Sequence, residues 1–97
     1  MKTLEEIGGI IARHKTELEE RYRVKQLGVF GSYVRGDQGK RSDLDILVEF
    51  DGPIGLLKFI ELEEFLGNVL ELKVDLVTRG ALKPHIGERI LKEVTYL

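Results

Sequence analysis

Asp43-Leu44-Asp45-Ile46-Leu47-Val48-Glu49-Phe50 is the run on which the reading of the fold turns. It is rich in apolar and β-branched residues, and Asp51-Gly52-Pro53 stops it, so it reads as a buried strand. Side chains alternate along a strand. Asp43 and Asp45 therefore project from one face, and Leu44, Ile46 and Val48 from the other. Asp is disfavoured in strands, and a buried carboxylate without a partner takes up a proton. Two acids on one strand face either ask for a cation or mark a solvated strand end.

Ahead of this run, Gly36 to Ser42 is polar and holds two glycines, which predicts a loop. Before it, Val24 to Phe30 alternates loosely and ends in Gly31-Ser32, a strand running into a turn, with a short helix from Ser32 through Arg35. Leu4, Ile7, Ile11, Leu18 and Tyr22 recur at helical spacing, and Thr3 with Glu6 forms a capping box. These predict one helix over residues 3 to 22, weakened by Gly8 and Gly9. After the central run, the broad apolar spacing of residues 55 to 70 predicts a helix, whose apolar face packs on the sheet or on a partner. Glu71 to Thr78 reads as another strand, broken by Arg79-Gly80. Pro84 opens a last helix with Ile86, Ile90, Leu91 and Val94 along its stripe. The order α-β-(α)-β-α-β-α predicts an α/β (α+β) fold, a small mixed sheet flanked by helices.

The 97 residues predict a single domain over 1–97. With no cysteine, disulfides and thiolate metal sites are excluded. No stretch approaches the roughly 20 apolar residues that span a bilayer, and Met1 to Ile11 does not read as a signal peptide. The expected setting is cytoplasmic, with no membrane partner. A net charge of −2 gives no global basic field, which makes nucleic acid an unexpected partner. Arg35, Lys40 and Arg41 form a local cluster, with the latter two read as a solvated loop.

Asp75 is a third acid in a strand context, inside Val74-Asp75-Leu76-Val77, where solvation is harder to invoke than at a strand end. Three such acids share an explanation if the strands holding 43 to 50 and 72 to 78 are neighbours. Mg²⁺ prefers oxygen ligands and takes one or two carboxylates plus substrate phosphates. Two ions about 4 Å apart can stabilise the attacking and leaving oxygens of a displacement at phosphorus. At Gly31-Ser32, a strand turning into a helix exposes backbone N–H groups suited to phosphate. The plain reading of the same turn makes Ser32 an ordinary N-cap. Tyr33 can stack on a base or simply pack. His14 and His85 have no ligand partner at metal spacing and are given no catalytic role.

Ten residues separate Ser32 from Asp43, giving Gly31-Ser32-x10-Asp43-x-Asp45. With Gly31-Ser32-Tyr33-Val34-Arg35-Gly36 and Ser42-Asp43-Leu44-Asp45-Ile46-Leu47-Val48, the chain resembles the nucleotidyltransferase superfamily that includes DNA polymerase beta. The fuller resemblance is to its minimal nucleotidyltransferase branch, the antitoxin partners of HEPN-domain toxins. It covers about Leu27 to Thr78, and departs at Gln38, where the branch often has Ala. The resemblance implies that Asp43, Asp45 and Asp75 are catalytic and ligate Mg²⁺, that Asp75 helps deprotonate the acceptor hydroxyl, and that Gly31 and Ser32 bind the triphosphate. Arg35 either reaches a phosphate or pairs with a carboxylate such as Asp37. The resemblance further implies transfer of AMP from ATP to a tyrosine of a HEPN toxin, in a type VII toxin-antitoxin system. An alternative is a non-catalytic antitoxin that neutralises the toxin by binding. Third comes a small-molecule nucleotidyltransferase, whose relatives carry an additional helical domain for the acceptor.

Overall fold

A computed structural model describes residues 2–36, 39, 43–81 and 84–97, and of 84–86 the backbone alone. Four strands form one mixed sheet in the order β3-β2-β1-β4. β1 (Val24–Phe30) is antiparallel to β2 (Leu44–Phe50) on one side and to β4 (Thr95–Tyr96) on the other. β2 runs parallel to β3 (Val74–Thr78), and a parallel pair needs a crossover, which α4 (Leu56–Leu70) supplies. α1 (Leu4–Arg13) and α2 (Lys15–Tyr22) precede the sheet, and α3 (Ser32–Arg35) follows β1. α5 (Pro84–Glu93) leads into β4. The small mixed sheet with flanking helices is the architecture that the element order implied.

One sheet face is the core. Leu44, Ile46 and Val48 of β2 meet Ile7 and Ile11 of α1, Leu18 and Tyr22 of α2, and Leu62, Leu66 and Leu70 of α4. α1 starts as its sequence prescribes: the Thr3 hydroxyl accepts from the Glu6 N–H at 3.2 Å. The helix expected over 3 to 22 is two helices. Gly8 and Gly9 remain inside α1, and the break falls at His14, whose N–H bonds to the Ile11 carbonyl at 3.0 Å. That three-residue spacing tightens the last turn and ends the α pattern. The His14 ring then stands edge-on against Phe65 of α4, with centroids 5.5 Å apart.

Two strand boundaries also move. β3 begins at Val74 rather than Glu71, because Glu71 is the left-handed cap of α4, with φ 55°, and its N–H bonds to the Gly67 carbonyl. β4 is an addition to the expected order, since two residues are too short to show a period. It closes the outer edge of β1, where the Leu97 N–H donates to the Leu27 carbonyl at 2.9 Å. Gly28 makes this possible: a Cβ there would run into Val94 and the Tyr96 ring. The opposite edge is treated differently. The Glu63 carboxylate of α4 accepts from the Leu76 N–H of β3 at 3.0 Å.

The apolar breadth of α4 divides between the sheet and the surface. Leu62, Leu66 and Leu70 are buried, whereas Leu56 and Leu57 in its first turn are 74% and 78% exposed. Among the described residues, no helix is long and apolar enough to cross a membrane.

Candidate active site

The site grows from the face of the sheet opposite the core. With Leu44, Ile46 and Val48 turned inward, Asp45 points to the other side. β2 and β3 are in parallel register with Asp45 opposite Asp75, so the two carboxylates leave the sheet side by side on one face. Asp43 lies one residue ahead of β2, which starts at Leu44, where the Leu44 N–H bonds to the Lys73 carbonyl. Asp43 and Asp45 are half-buried and Asp75 is exposed. The premise that Asp75 is hard to solvate is therefore corrected. β3 is an edge strand, so its outward face is open to water, and what places Asp75 is register rather than burial.

Gly31 sets the floor beside Asp45. Its φ of 80° and ψ of −150° are open to glycine and strained for other residues. A Cβ there would collide with the Asp45 carboxylate. The chain thus turns out of β1 directly against the acid. The Gly31 carbonyl accepts from the N–H groups of Val34 and Arg35, at 3.1 and 3.2 Å, and so starts α3. Gly31 is the N-cap and Ser32 the first helical residue, so the plain reading of Ser32 as the cap is set aside. Tyr33 is buried in the core, which leaves packing as its role.

Arg35 reaches across to α5. Its Nη1 lies 2.7 Å from Oε1 of Glu93, a charge-assisted pair joining residues 58 apart in sequence. The suggested partner Asp37 lies outside the described residues, as do Gln38, Lys40, Arg41 and Ser42. Gly31, Arg35, Asp45, Arg89, Ile90 and Glu93 line one cavity of ≈ 250 Å³ together with Phe30.

The surroundings of Asp45 act on its titration. Burial raises its pKa above the ordinary value, and the charges of Asp75 and then Asp43 push it further. Arg35 pulls it down, and Glu93 adds a lesser push upward. That both other acids act on Asp45 places them within its electrostatic reach. Carboxylate oxygens are hard donors, the chemistry that suits Mg²⁺. Among the described residues, no group of three or more His, Cys, Asp or Glu is gathered so as to hold a metal ion. Such a donor set fits an ion that also draws ligands from substrate phosphates, not a closed protein cage.

A model of the nucleotidyltransferase domain matches residues 11–97. The chain belongs to the nucleotidyltransferase family. Protein adenylyltransferase MntA of Thermococcus cleftensis is 55% identical to it over 97 residues, covering 100% of this chain and 98% of that protein. The solved structure of a protein assigned as a minimal nucleotidyltransferase matches with a TM-score of 0.76 and 33% identity, over 94% of this chain and 95% of that one. A further match is to the structure of the tri-AMPylated HEPN toxin of Shewanella oneidensis in complex with its MNT antitoxin. It has a TM-score of 0.65 and 18% identity, over 93% of this chain and 70% of that one, and shows likeness of fold alone.

In this minimal nucleotidyltransferase, Gly31, Arg35 and Asp45 share one cavity, with Asp75 beside Asp45 in register. Ser32 follows Gly31 at the start of α3. The sequence reading missed the α5 wall, namely Arg89 and Glu93. Both lie on the polar side of a helix valued only for its apolar stripe. Nothing local to them signals a site on strands so distant in sequence.

Proposed function

We propose that this nucleotidyltransferase is a Mg²⁺-dependent protein adenylyltransferase that moves AMP from ATP to a tyrosine hydroxyl of a HEPN-domain toxin. It would thereby act as the antitoxin of a type VII toxin-antitoxin pair, in the cytoplasm. The observation that carries the reading is the register pairing of Asp45 with Asp75, with Asp43 two residues before and Gly31 pressed against the Asp45 carboxylate. The names of its relatives support the acceptor: one is a protein adenylyltransferase, and another is bound to an AMPylated HEPN toxin.

In the proposed reaction the acceptor oxygen forms a bond to the α-phosphorus of ATP. The bond from that phosphorus to the bridging oxygen breaks, and pyrophosphate leaves. Asp75, exposed at the edge of the sheet, takes the acceptor's proton. Asp43, Asp45 and Asp75 would hold Mg²⁺, which offsets the charge of the phosphates and of the departing oxygen. The Gly31-Ser32 turn receives the triphosphate, and Gly31 lets it approach the backbone. Arg35 adds a cation beside it. The three acids repel one another, and binding of cation and nucleotide together relieves that repulsion.

The test is incubation with labelled ATP, Mg²⁺ and the product of the neighbouring gene, followed by peptide mapping. Label on a toxin tyrosine is expected. An unlabelled toxin, with both proteins folded, would overturn the reading. Asp43→Asn with Asp45→Asn distinguishes catalysis from sequestration: transfer and neutralisation should be lost while the complex still forms. Neutralisation that survives the double substitution would make the protein a binding antitoxin.

A further inference from the structure

We propose that Arg89 of α5 is a further nucleotide-binding residue, contacting the β- and γ-phosphates of the donor from the cavity that Gly31 also lines. The inference rests on the nucleotide reading above and adds to it a residue outside the motif.

Asp45 and Glu93 contribute two carboxylates to the lining, and Arg35 and Arg89 contribute two guanidinium groups. Arg35 is already engaged by Glu93 at 2.7 Å. An incoming phosphate must compete with that carboxylate for it. Arg89 is exposed and forms no salt bridge among the described residues. Of the two lining cations it is therefore the one open to a new anion. It lies on the same helix as Glu93, four residues earlier, so the two share a face of α5. Glu93 fixes that face against Arg35, and so holds Arg89 at the cavity rather than leaving α5 to drift.

The chemistry of the expected anion fits. A triphosphate carries much of its charge at the β and γ groups, away from the reacting α-phosphorus that must sit near Asp45. A guanidinium there matches phosphate geometry with paired donors. The acids face the reacting α-phosphorus, and Arg89 adds a cation to the outer phosphates of the triphosphate that the Gly31-Ser32 turn receives.

Titration calorimetry of the folded protein with a non-hydrolysable ATP analogue in Mg²⁺ buffer tests this without relying on transfer. Arg89→Gln is expected to weaken the analogue about tenfold, the worth of one hydrogen bond to a charged group. AMP, which lacks the outer phosphates, should bind both forms alike. Arg89→Lys should recover part of the loss. Arg79→Gln, which removes an exposed cation bridged to Glu49 away from the cavity, should change nothing. Unaltered analogue binding in Arg89→Gln, with a wild type that binds well, would overturn this inference and leave the proposed function standing. So would equal losses for AMP and the analogue, or a defect confined to modification of the protein acceptor. A wild type that binds no nucleotide would overturn both.

Discussion

Asp45 shows at a single residue how a candidate site opposes the stability of the fold that carries it. Its carboxyl is pushed above the ordinary 3.8 by burial first and by Asp75 and Asp43 next. The folded chain thus holds this proton more tightly than the unfolded chain. Stability consequently falls as pH rises from the unfolded value through the folded one, and the deficit persists at neutral pH. Asp45→Asn removes it. In chelator-treated buffer at pH 7 the variant should melt above the wild type. The gap should close near pH 3, and thermal scans at the two pH values check both signs. Gly31 is constrained by backbone and space together, with φ 80° and the Asp45 carboxylate against it. Gly31→Ala should cost about 1–3 kcal/mol in denaturant melts. It should also depress transfer, because the added methyl displaces Asp45 from its neighbours.

At the scale of elements, the edge strand β3 depends on a helix for one of its backbone bonds. The Leu76 N–H has the Glu63 carboxylate as its acceptor, in a partly buried setting. Glu63→Ala leaves that donor unmet and should cost about 1–3 kcal/mol, whereas Glu63→Gln keeps an acceptor and should recover much of it. Denaturant unfolding of the two variants, with amide exchange at Leu76, reads the difference. Two elements were legible to the residue in the sequence. β1 spans Val24–Phe30 as expected, and α3 spans Ser32–Arg35. The departures have local causes that periodicity does not encode. The break at His14 involves neither glycine nor proline, only a tightened turn and a ring contact with Phe65. The strand expected from Glu71 lost its first residues to a helix cap. β4 is held by hydrogen bonds and by the absent side chain of Gly28, not by a pattern of its own.

Across the whole molecule, the candidate site was legible where it is compact in sequence and illegible where folding assembles it. Asp45 leaves the sheet on the face that strand alternation predicts, Asp43 lies one residue ahead of β2, and Gly31 stands at a strand end as expected. Asp75 was singled out for its apolar neighbours, yet it is parallel register that brings it beside Asp45. The Arg35–Glu93 pair could not be read, because an acid near a helix end has many possible partners and only the fold selects one. Net charge was equally silent, since −2 is a sum over surfaces that never meet.

The join between α5 and β4 leaves the α5 wall with no slack. Glu93 grips Arg35, Thr95 and Tyr96 pair with β1, and Val94 alone lies between the two anchorages. The helix end cannot swing outward unless an ion pair or an edge strand parts first. Tension on the last three residues would therefore be felt where phosphate is expected to rest, as if the tail were a drawstring on the pocket.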